Sequence, residues 1–187
     1  LVLCADHELN ASSFTARCVA STGADLGAAV SAGLAALSGG WHGGMTARVE
    51  ALIDELAGVR SIRATLRARL ARDPSMPGFG HPLYPSGDPR GQALLQGLKI
   101  DPVIARLINS VRDLTGLAPS LDIGLVALRR ALGLPAGSAF SIFAIGRSVG
   151  WLAHALEQRE LRQLIRKGPV TLLYGAKDTG HTHAAIL

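Results

Sequence analysis

Apolar side chains recur with helical spacing along most of this chain. In one stretch they fall at i, i+4, i+7, i+8 and i+11, which predicts an amphipathic helix containing Met45, Val49, Leu52, Ile53 and Leu56. Further helices are predicted, the first of them starting near Glu8 and Leu9, at about 9–20, 25–37, 62–70, 90–98, 102–116, 121–133 and 138–160. Only 170–174 is predicted as a strand. The sequence therefore predicts an all-α fold, interrupted at 73–90 by a structured loop rich in proline and glycine.

The size and composition are those of a folded protein. The chain has 187 residues, enough for one large domain or two small ones, and its 48% hydrophobic and 18% charged residues exclude disorder. The longest unbroken apolar stretches are shorter than a membrane span, and the N-terminus does not have the pattern of a secretion signal. Cys4 and Cys18 form no disulfide or metal pattern, which favours a reducing, cytoplasmic setting. Because the chain starts without Met, we expect it to be part of a longer protein.

The net charge of +5 suits an anionic partner: nucleic acid, a membrane surface or a phosphorylated small molecule. Aromatic residues make up only 4%, so platforms for stacking single-stranded bases are scarce. The densest basic stretch, from Arg60 to Arg72, is interpreted as the solvated face of a helix. Nucleic-acid binding is therefore the least favoured of these functions.

Three histidines stand where the helical pattern breaks. His42 lies between glycines in 39–44, His81 lies in the loop segment 77–82, and His7 lies where a helix is expected to begin. Glycine permits close backbone approach, so such a histidine can be presented to a ligand. A histidine that caps a helix or bonds a buried carbonyl gives the same pattern, and the sequence does not separate the two interpretations.

Other polar residues stand beside apolar helical positions. Asp122 opens an apolar helix, where it is either a first-turn acid or a general base. Arg147, Trp151 and His154 share one face of the last helix. A buried guanidinium needs an anionic partner, which is either an internal acid or a substrate carboxylate, and the same applies to Arg90.

Motifs for several other chemistries are absent from the sequence. The chain has no HExxH, no CxxC and no phosphate-binding loop. His181 and His183 have a chelating spacing, but we interpret them as part of a solvated terminus. No metal site is therefore predicted.

Taken in chain order, the polar motifs form one series. They are Ala5-Asp6-His7-Glu8-Leu9-Asn10-Ala11-Ser12, Leu37-Ser38-Gly39-Gly40-Trp41-His42-Gly43-Gly44, Gly78-Phe79-Gly80-His81-Pro82-Leu83-Tyr84, Asp88-Pro89-Arg90, Asp122 and Gly146-Arg147-Ser148-Val149-Gly150-Trp151-Leu152-Ala153-His154. In this order and spacing they resemble the citrate synthase family, and the resemblance runs from Leu1 to about Arg166.

The resemblance implies a helical fold and a reaction. The chain would be the C-terminal half of a homodimeric, two-domain subunit, with 1–46 and 136–187 in the large domain and 47–135 in the small one. The implied reaction condenses acetyl-CoA with oxaloacetate and then hydrolyses the thioester, without a metal or redox cofactor. Synthesis of 2-methylcitrate and cleavage of citryl-CoA use the same residues and stay open. A non-catalytic, ligand-sensing or dimerising relative is the alternative from another class.

The resemblance also implies roles for individual residues. Asp122 matches the family's base, His42 the group that polarises the thioester carbonyl, and His81 the donor to the oxaloacetate ketone. The implied ligands of the substrate carboxylates are His7, Arg90, Arg147 and, reaching into the partner subunit's site, Arg166. The implied backbone cradle for CoA is Gly78, Phe79 and Gly80.

The chain departs from the family pattern near the acyl-CoA end of the implied site. Pro85 stands where a basic side chain often contacts a CoA phosphate, and Pro82 replaces a frequent Arg. Thr46 stands at a common Asn, and Gly40-Trp41 replaces a common Pro-Leu. We therefore expect recognition of oxaloacetate to be kept, and the CoA affinity or acyl preference to differ.

Overall fold

The computed structural model describes residues 1–171. This part of the chain contains nine α-helices and no strand, which confirms the predicted all-α fold. The helices are α1 (Val2–Ala5), α2 (Ala11–Ser21), α3 (Leu26–Leu37), α4 (Met45–Leu56), α5 (Ile62–Leu70), α6 (Pro89–Gln96), α7 (Pro102–Thr115), α8 (Leu121–Ala131) and α9 (Ser138–Lys167).

Helix ends differ from the predictions where capping chemistry decides them. The prediction that α2 begins near Glu8 is wrong, because Asn10 caps the helix and its Oδ1 accepts hydrogen bonds from the N–H groups of Ser12 and Ser13 at 3.1 and 3.2 Å. Glu8 itself has a left-handed φ of 52°. At the other end of the chain, α9 continues past 160 to Lys167. Of the predicted strand, 170 and 171 are not in a strand, and 172–174 lie outside the described residues.

The long helix α9 organises the packing. It contacts α1, α2, α3 and α8, and α2 also packs on α3. A second set of contacts joins α4 to α8, α6 to α8, and α5 to α7. By length and composition α9 could also cross a membrane. In this fold it buries Arg147 and Gln158 among neighbouring helices, so we interpret it as a core helix. The predicted domain bounds at 46 and 135 stay a prediction.

Glycines on α9 and α3 set how closely these helices approach. A Cβ atom on Gly150 would lie 2.2 Å from the carbonyl oxygen of Ala5, and one on Gly33 would lie 2.6 Å from the ring of Trp151. Only glycine allows the backbone to come this near. The segment from α1 to His7 is thereby held against the part of α9 that carries Arg147.

Candidate active site

A cleft with a volume of about 530 Å³ collects the polar residues singled out from the sequence. Its walls come from the segment after α1, the turn before α4, the loop 73–88 with the adjoining first turn of α6, the start of α8 and the middle of α9. Six of the predicted site residues line it: His7, His42, His81, Arg90, Asp122 and Arg147. Gly78, Phe79 and Gly80 line it as well. Side chains from five separate parts of the chain therefore meet at one place.

The proline- and glycine-rich loop is fixed to the segment that precedes α8. The N–H of Gly80 donates to the carbonyl of Ala118 at 2.9 Å, and the N–H of Ser120 donates to the carbonyl of Gly78 at 2.8 Å. Gly78 has a φ of 78°, and a Cβ there would lie 2.5 Å from Val49. These contacts bring the loop that carries the histidine at 81 beside the first turn of α8.

The carboxyl group of Asp122 is largely buried, and only one of its two oxygens accepts a hydrogen bond from a side chain. Ser120 caps α8, and its hydroxyl donates to Oδ2 of Asp122 at 2.9 Å. The other oxygen, Oδ1, is buried and has no hydrogen-bond partner. Burial raises the pKa of this carboxyl to about 6, against the smaller lowering effect of the Ser120 hydrogen bond. A carboxylate with a pKa near neutrality suits a general base.

His42 is held as a neutral imidazole. Its Nε2 is hydrogen-bonded to the Ser12 hydroxyl at 2.9 Å, and Nε1 of the buried Trp151 donates to the same hydroxyl at 3.0 Å. Burial, followed by the positive charge of Arg147, lowers the pKa of His42 to about 4. A neutral ring can donate one hydrogen bond without bringing a full charge into the cleft.

Two further histidines form a cluster with Tyr84. Nε2 of His7 is hydrogen-bonded to the Tyr84 hydroxyl at 2.9 Å, and the rings of His7 and His81 meet edge to face with 5.4 Å between centroids. Burial lowers the pKa of both histidines. Nδ1 of His81 accepts a hydrogen bond from the N–H of Leu83 at 3.2 Å. In the neutral ring the proton is therefore on Nε2.

Arg90 has an internal acid as its partner. Its Nε and Nη2 donate to Asp88 at 2.9 and 2.7 Å, and the backbone N–H of Leu121 donates to the same carboxylate at 3.1 Å. Burial alone would raise the pKa of Asp88, but the hydrogen bonds and charge of Arg90 outweigh it, so the pKa is lowered. The sequence left open whether the partner of Arg90 is an internal acid or a substrate carboxylate, and the structure shows an internal acid, Asp88.

Arg147 has no such partner among the residues that the structure describes. It is 1% exposed, its Nε donates to the carbonyl of Cys4 at 2.7 Å, and it takes part in no ion pair within 1–171. Burial and then the charge of Arg90 lower its pKa. Because a buried guanidinium is costly without an anion, the cleft is suited to an anionic ligand.

Other residues singled out in the sequence lie away from the cleft. Arg166 lines a separate cavity of about 310 Å³ together with Arg159 and Arg162. His154 contacts Asp6 and Arg17 on the outer side of α9. Within 1–171, no three His, Cys, Asp or Glu side chains form a metal-binding group, and 181–183 lie outside the described residues.

Sequence reasoning missed the residues that hold the site together. Asp88 lies in a quoted motif, but nothing in the pattern showed that it would pair with Arg90. Tyr84 also lies in a motif, and its contacts with two histidines depend on how the loop folds. Ser12 and Ser120 are short polar residues next to helix starts, a position that sequence reasoning assigns to capping.

Three comparisons with known proteins fit this arrangement. Citrate synthase 2 of Bacillus subtilis is 36% identical over 176 residues, covering 89% of this chain and 47% of that protein. A citrate synthase of Thermoplasma acidophilum, solved with carboxymethyl coenzyme A and oxaloacetate, has a TM-score of 0.69 and 26% identity, covering 99% of this chain and 53% of that one. Citryl-CoA lyase of Hydrogenobacter thermophilus has a TM-score of 0.76 and 25% identity, covering 99% of this chain and 77% of that one.

A match to a family model supports these similarities, and the lengths of the relatives show how much of each the chain covers. The chain spans about half the length of the Bacillus protein, 47% of it. The model of the citrate synthase C-terminal domain matches residues 1–168, which include every residue that lines the cleft. The chain belongs to the citrate synthase family.

Proposed function

We propose that this chain is the C-terminal part of a citrate synthase-like acyltransferase, which condenses a short acyl-CoA with oxaloacetate and then hydrolyses the thioester. The observation that carries the proposal is the buried guanidinium of Arg147, which has no ion pair within 1–171 and lies in the same cleft as Asp122. A dicarboxylic acid would supply the missing negative charge, and the carboxyl group would supply the base.

In the proposed first step, the Asp122 carboxylate takes a proton from the methyl carbon next to the thioester. The electron pair of the C–H bond forms an enolate, whose negative charge develops on the thioester oxygen. His42 donates a hydrogen bond to that oxygen through Nδ1–H, which requires the Ser12 hydroxyl to donate to Nε2. The 2.9 Å contact between Ser12 and His42 allows this assignment, in which the Ser12 hydroxyl turns to His42 from Oδ1 of Asn10, to which it donates at 2.7 Å. A pKa of about 6 leaves Asp122 ionised at neutral pH while making it a stronger base than an exposed aspartate.

In the second step, the enolate carbon attacks the ketone carbon of oxaloacetate. A carbon–carbon bond forms while the π bond of the ketone breaks, and its electron pair goes to the ketone oxygen, which takes a proton from Nε2–H of His81. The proton that Asp122 removed in the first step returns to His81, so both groups are restored. The two carboxylates of oxaloacetate are held by Arg147, by His7 and by Nη1 of Arg90, whose Nε and Nη2 donate to Asp88. Water then attacks the thioester carbonyl and releases CoA as a thiol. The Thermoplasma relative was solved with a CoA derivative and oxaloacetate together, which supports this pairing of substrates.

The remaining parts of the proposal follow the family resemblance and, for the cytoplasmic location, the cysteine usage. No metal or redox cofactor takes part in the steps above. The working unit is a homodimer in the cytoplasm, and Arg166 completes the partner's site. Cleavage of citryl-CoA is the second candidate reaction, because the similarity to citryl-CoA lyase covers 99% of this chain. A non-catalytic, ligand-sensing relative is the remaining alternative.

Binding of oxaloacetate tests the proposal without requiring turnover. Oxaloacetate should raise the unfolding temperature of the chain, because a ligand that binds only the folded state stabilises it. Arg147→Gln should abolish that increase. Arg159→Gln is the matched control, since Arg159 also donates to a backbone carbonyl, at 2.8 Å, but does not line the cleft. Equal stabilisation of both variants would contradict the proposal.

Release of CoA thiol identifies the reaction. We expect thiol to appear from acetyl-CoA or propionyl-CoA only when oxaloacetate is present, and the ratio of the two rates gives the acyl preference. An ordinary acetyl-CoA affinity and preference would contradict the expectation drawn from the sequence departures. Acetyl-CoA formed from citryl-CoA, with no condensation, would identify a lyase. In the full-length protein, oxaloacetate binding without either reaction would identify a ligand-sensing relative.

A further inference from the structure

The side chain of Tyr84 contacts three residues that line the cleft. Its hydroxyl lies 2.9 Å from Nε2 of His7, and the centre of its ring lies 5.1 Å from the ring centre of His81. The guanidinium carbon of Arg90 lies 5.7 Å from the same ring centre. Tyr84 itself does not line the cleft. It can therefore act on a ligand in the cleft only through these three neighbours.

Two consecutive turns of the loop fix the place of Tyr84. The N–H of Tyr84 donates to the carbonyl of His81 at 3.0 Å, and the N–H of Gly87 donates to the carbonyl of Tyr84 at 2.9 Å. Bonds of this i to i+3 pattern close β-turns. Gly87 ends the second turn with a φ of 114°, a conformation that favours glycine. The backbone of the loop therefore sets where the tyrosine ring lies relative to His81.

The hydroxyl contact decides which ring nitrogen of His7 is available to a ligand. Nε2 is engaged with Tyr84, and Nδ1 makes no hydrogen bond within residues 1–171. Burial lowers the pKa of His7, so its ring is neutral at neutral pH and carries one proton. Because a carboxylate only accepts hydrogen bonds, Nδ1 can bind it only when the proton is on Nδ1. Nε2 is then an acceptor, and the Tyr84 hydroxyl must donate to it.

The ring of Tyr84 supports the other two neighbours. The guanidinium of Arg90 lies at cation–π distance from the ring, while its Nε and Nη2 donate to Asp88. The ring of His81 is tilted by 35° against the tyrosine ring. The hydroxyl and the ring therefore contact different residues, and variants that remove one or both can separate their effects.

We propose that Tyr84 is the positioning residue of the dicarboxylate site. Its hydroxyl holds His7 in the tautomer that donates from Nδ1 to a substrate carboxylate, and its ring keeps Arg90 and His81 in place beside it. The inference rests on the proposed function for the choice of oxaloacetate as the ligand. The tautomer of His7 does not depend on that choice, because the contact that fixes it lies within the chain.

Nitrogen NMR of the histidine rings measures the tautomer directly. The chemical shift of each ring nitrogen depends on whether it carries the proton, and the His7 signals are identified by their absence from His7→Gln. In the wild type at pH 8 we expect the proton of His7 on Nδ1. Tyr84→Phe keeps the ring and loses only the hydroxyl, so both tautomers should be populated in this variant.

Calorimetry measures the consequence for binding. Tyr84→Phe should weaken oxaloacetate binding about fivefold, the usual effect of losing one intramolecular hydrogen bond. Tyr84→Leu should weaken it about twentyfold, because the contact of the ring with Arg90 is lost as well. In the full-length protein, the effect of Tyr84→Phe should appear in the KM for oxaloacetate, with kcat within twofold of the wild type.

Ser148→Ala is the matched control for loss of a hydroxyl near the site. The Ser148 hydroxyl donates to the carbonyl of Ile145 at 2.7 Å, and Ser148 does not line the cleft, although it follows Arg147 in α9. This variant should bind oxaloacetate as tightly as the wild type. A loss as large as that of Tyr84→Phe shows a general effect of hydroxyl removal, and it overturns the specific role of Tyr84.

The remaining outcomes separate this inference from the proposed function. A proton on Nε2 of His7 in the wild type, or the same tautomer in wild type and Tyr84→Phe, overturns the positioning role. A measurable but equal oxaloacetate affinity in these two proteins also overturns it. A tautomer that depends on the hydroxyl, in a chain that binds no oxaloacetate, supports the action of Tyr84 on His7 and overturns the proposed function.

Discussion

Replacing Asp122 by Asn should change how the stability of this protein depends on pH. Folding raises the pKa of this carboxyl from 3.8 to about 6, so the folded state holds the proton more tightly than the unfolded chain. Stability contributed by the protonated carboxyl is therefore complete below pH 3.8 and is lost as the pH rises to about 6. At neutral pH the folded wild type carries a buried charge that the Asp122→Asn variant would not carry.

The size of the effect follows from the pKa change. Folding raises the pKa by about 2 pH units, and each unit corresponds to about 1.4 kcal/mol, so the ionised group costs about 3 kcal/mol at pH 8. Asn keeps the shape and can accept the Ser120 hydrogen bond, but its amide lacks a partner at the position of Oδ1. That cost is the same at every pH. The pH-dependent part of the difference in unfolding free energy between variant and wild type therefore reports the cost of the buried charge.

The assay is urea unfolding of wild type and Asp122→Asn between pH 4 and pH 8. The free energy of unfolding of the variant, relative to wild type, should rise by about 2 to 3 kcal/mol over this interval, mostly below pH 6. Asp25→Asn is the matched control, because Asp25 is an exposed helix cap outside the cleft. A constant difference between Asp122→Asn and wild type across the range would refute the burial argument.

Three further changes test other parts of the site and fold. Asp88→Asn breaks a buried ion pair and should cost about 3 kcal/mol or more at pH 7; because the pKa of Asp88 is lowered, the cost should shrink in acid, which unfolding at pH 3 and pH 7 measures. His42→Gln should make the protein less sensitive to acid between pH 6.5 and about 4, since the wild type must protonate a histidine whose pKa folding lowers to about 4; a wild-type acid transition in the variant contradicts this. Gly150→Ala should destabilise by about 1–3 kcal/mol, because its Cβ would lie 2.2 Å from the Ala5 carbonyl oxygen, whereas Gly40→Ala meets no atom within 4 Å and should leave the unfolding midpoint unchanged.

The convergence of the site residues could be predicted because family motifs have a fixed order. His42 and Asp122 are far apart along the chain, and no periodicity relates them. Their meeting in one cleft was expected only from the resemblance, and the structure places both there. The catalytic roles themselves stay predictions, which the binding and thiol experiments above address.

The internal partners of the site could not be predicted. Arg90 and Arg147 are both arginines in family motifs, and the sequence offered a substrate carboxylate or an internal acid to each. The structure separates them: the guanidinium of Arg90 donates two hydrogen bonds to Asp88, whereas Arg147 donates, among residues 1–171, only to the carbonyl of Cys4. Which acid meets which base depends on loop geometry that no spacing rule gives.

The sequence by itself determined that this chain is helical, because apolar spacing and capping residues act over a few neighbouring positions. Through its motifs it also predicted which polar side chains line the cleft. Tertiary structure alone decided their charge states: burial raises the pKa of Asp122 and lowers that of His42. Desolvation depends on every atom packed around a group, and those atoms come from helices distant in the chain.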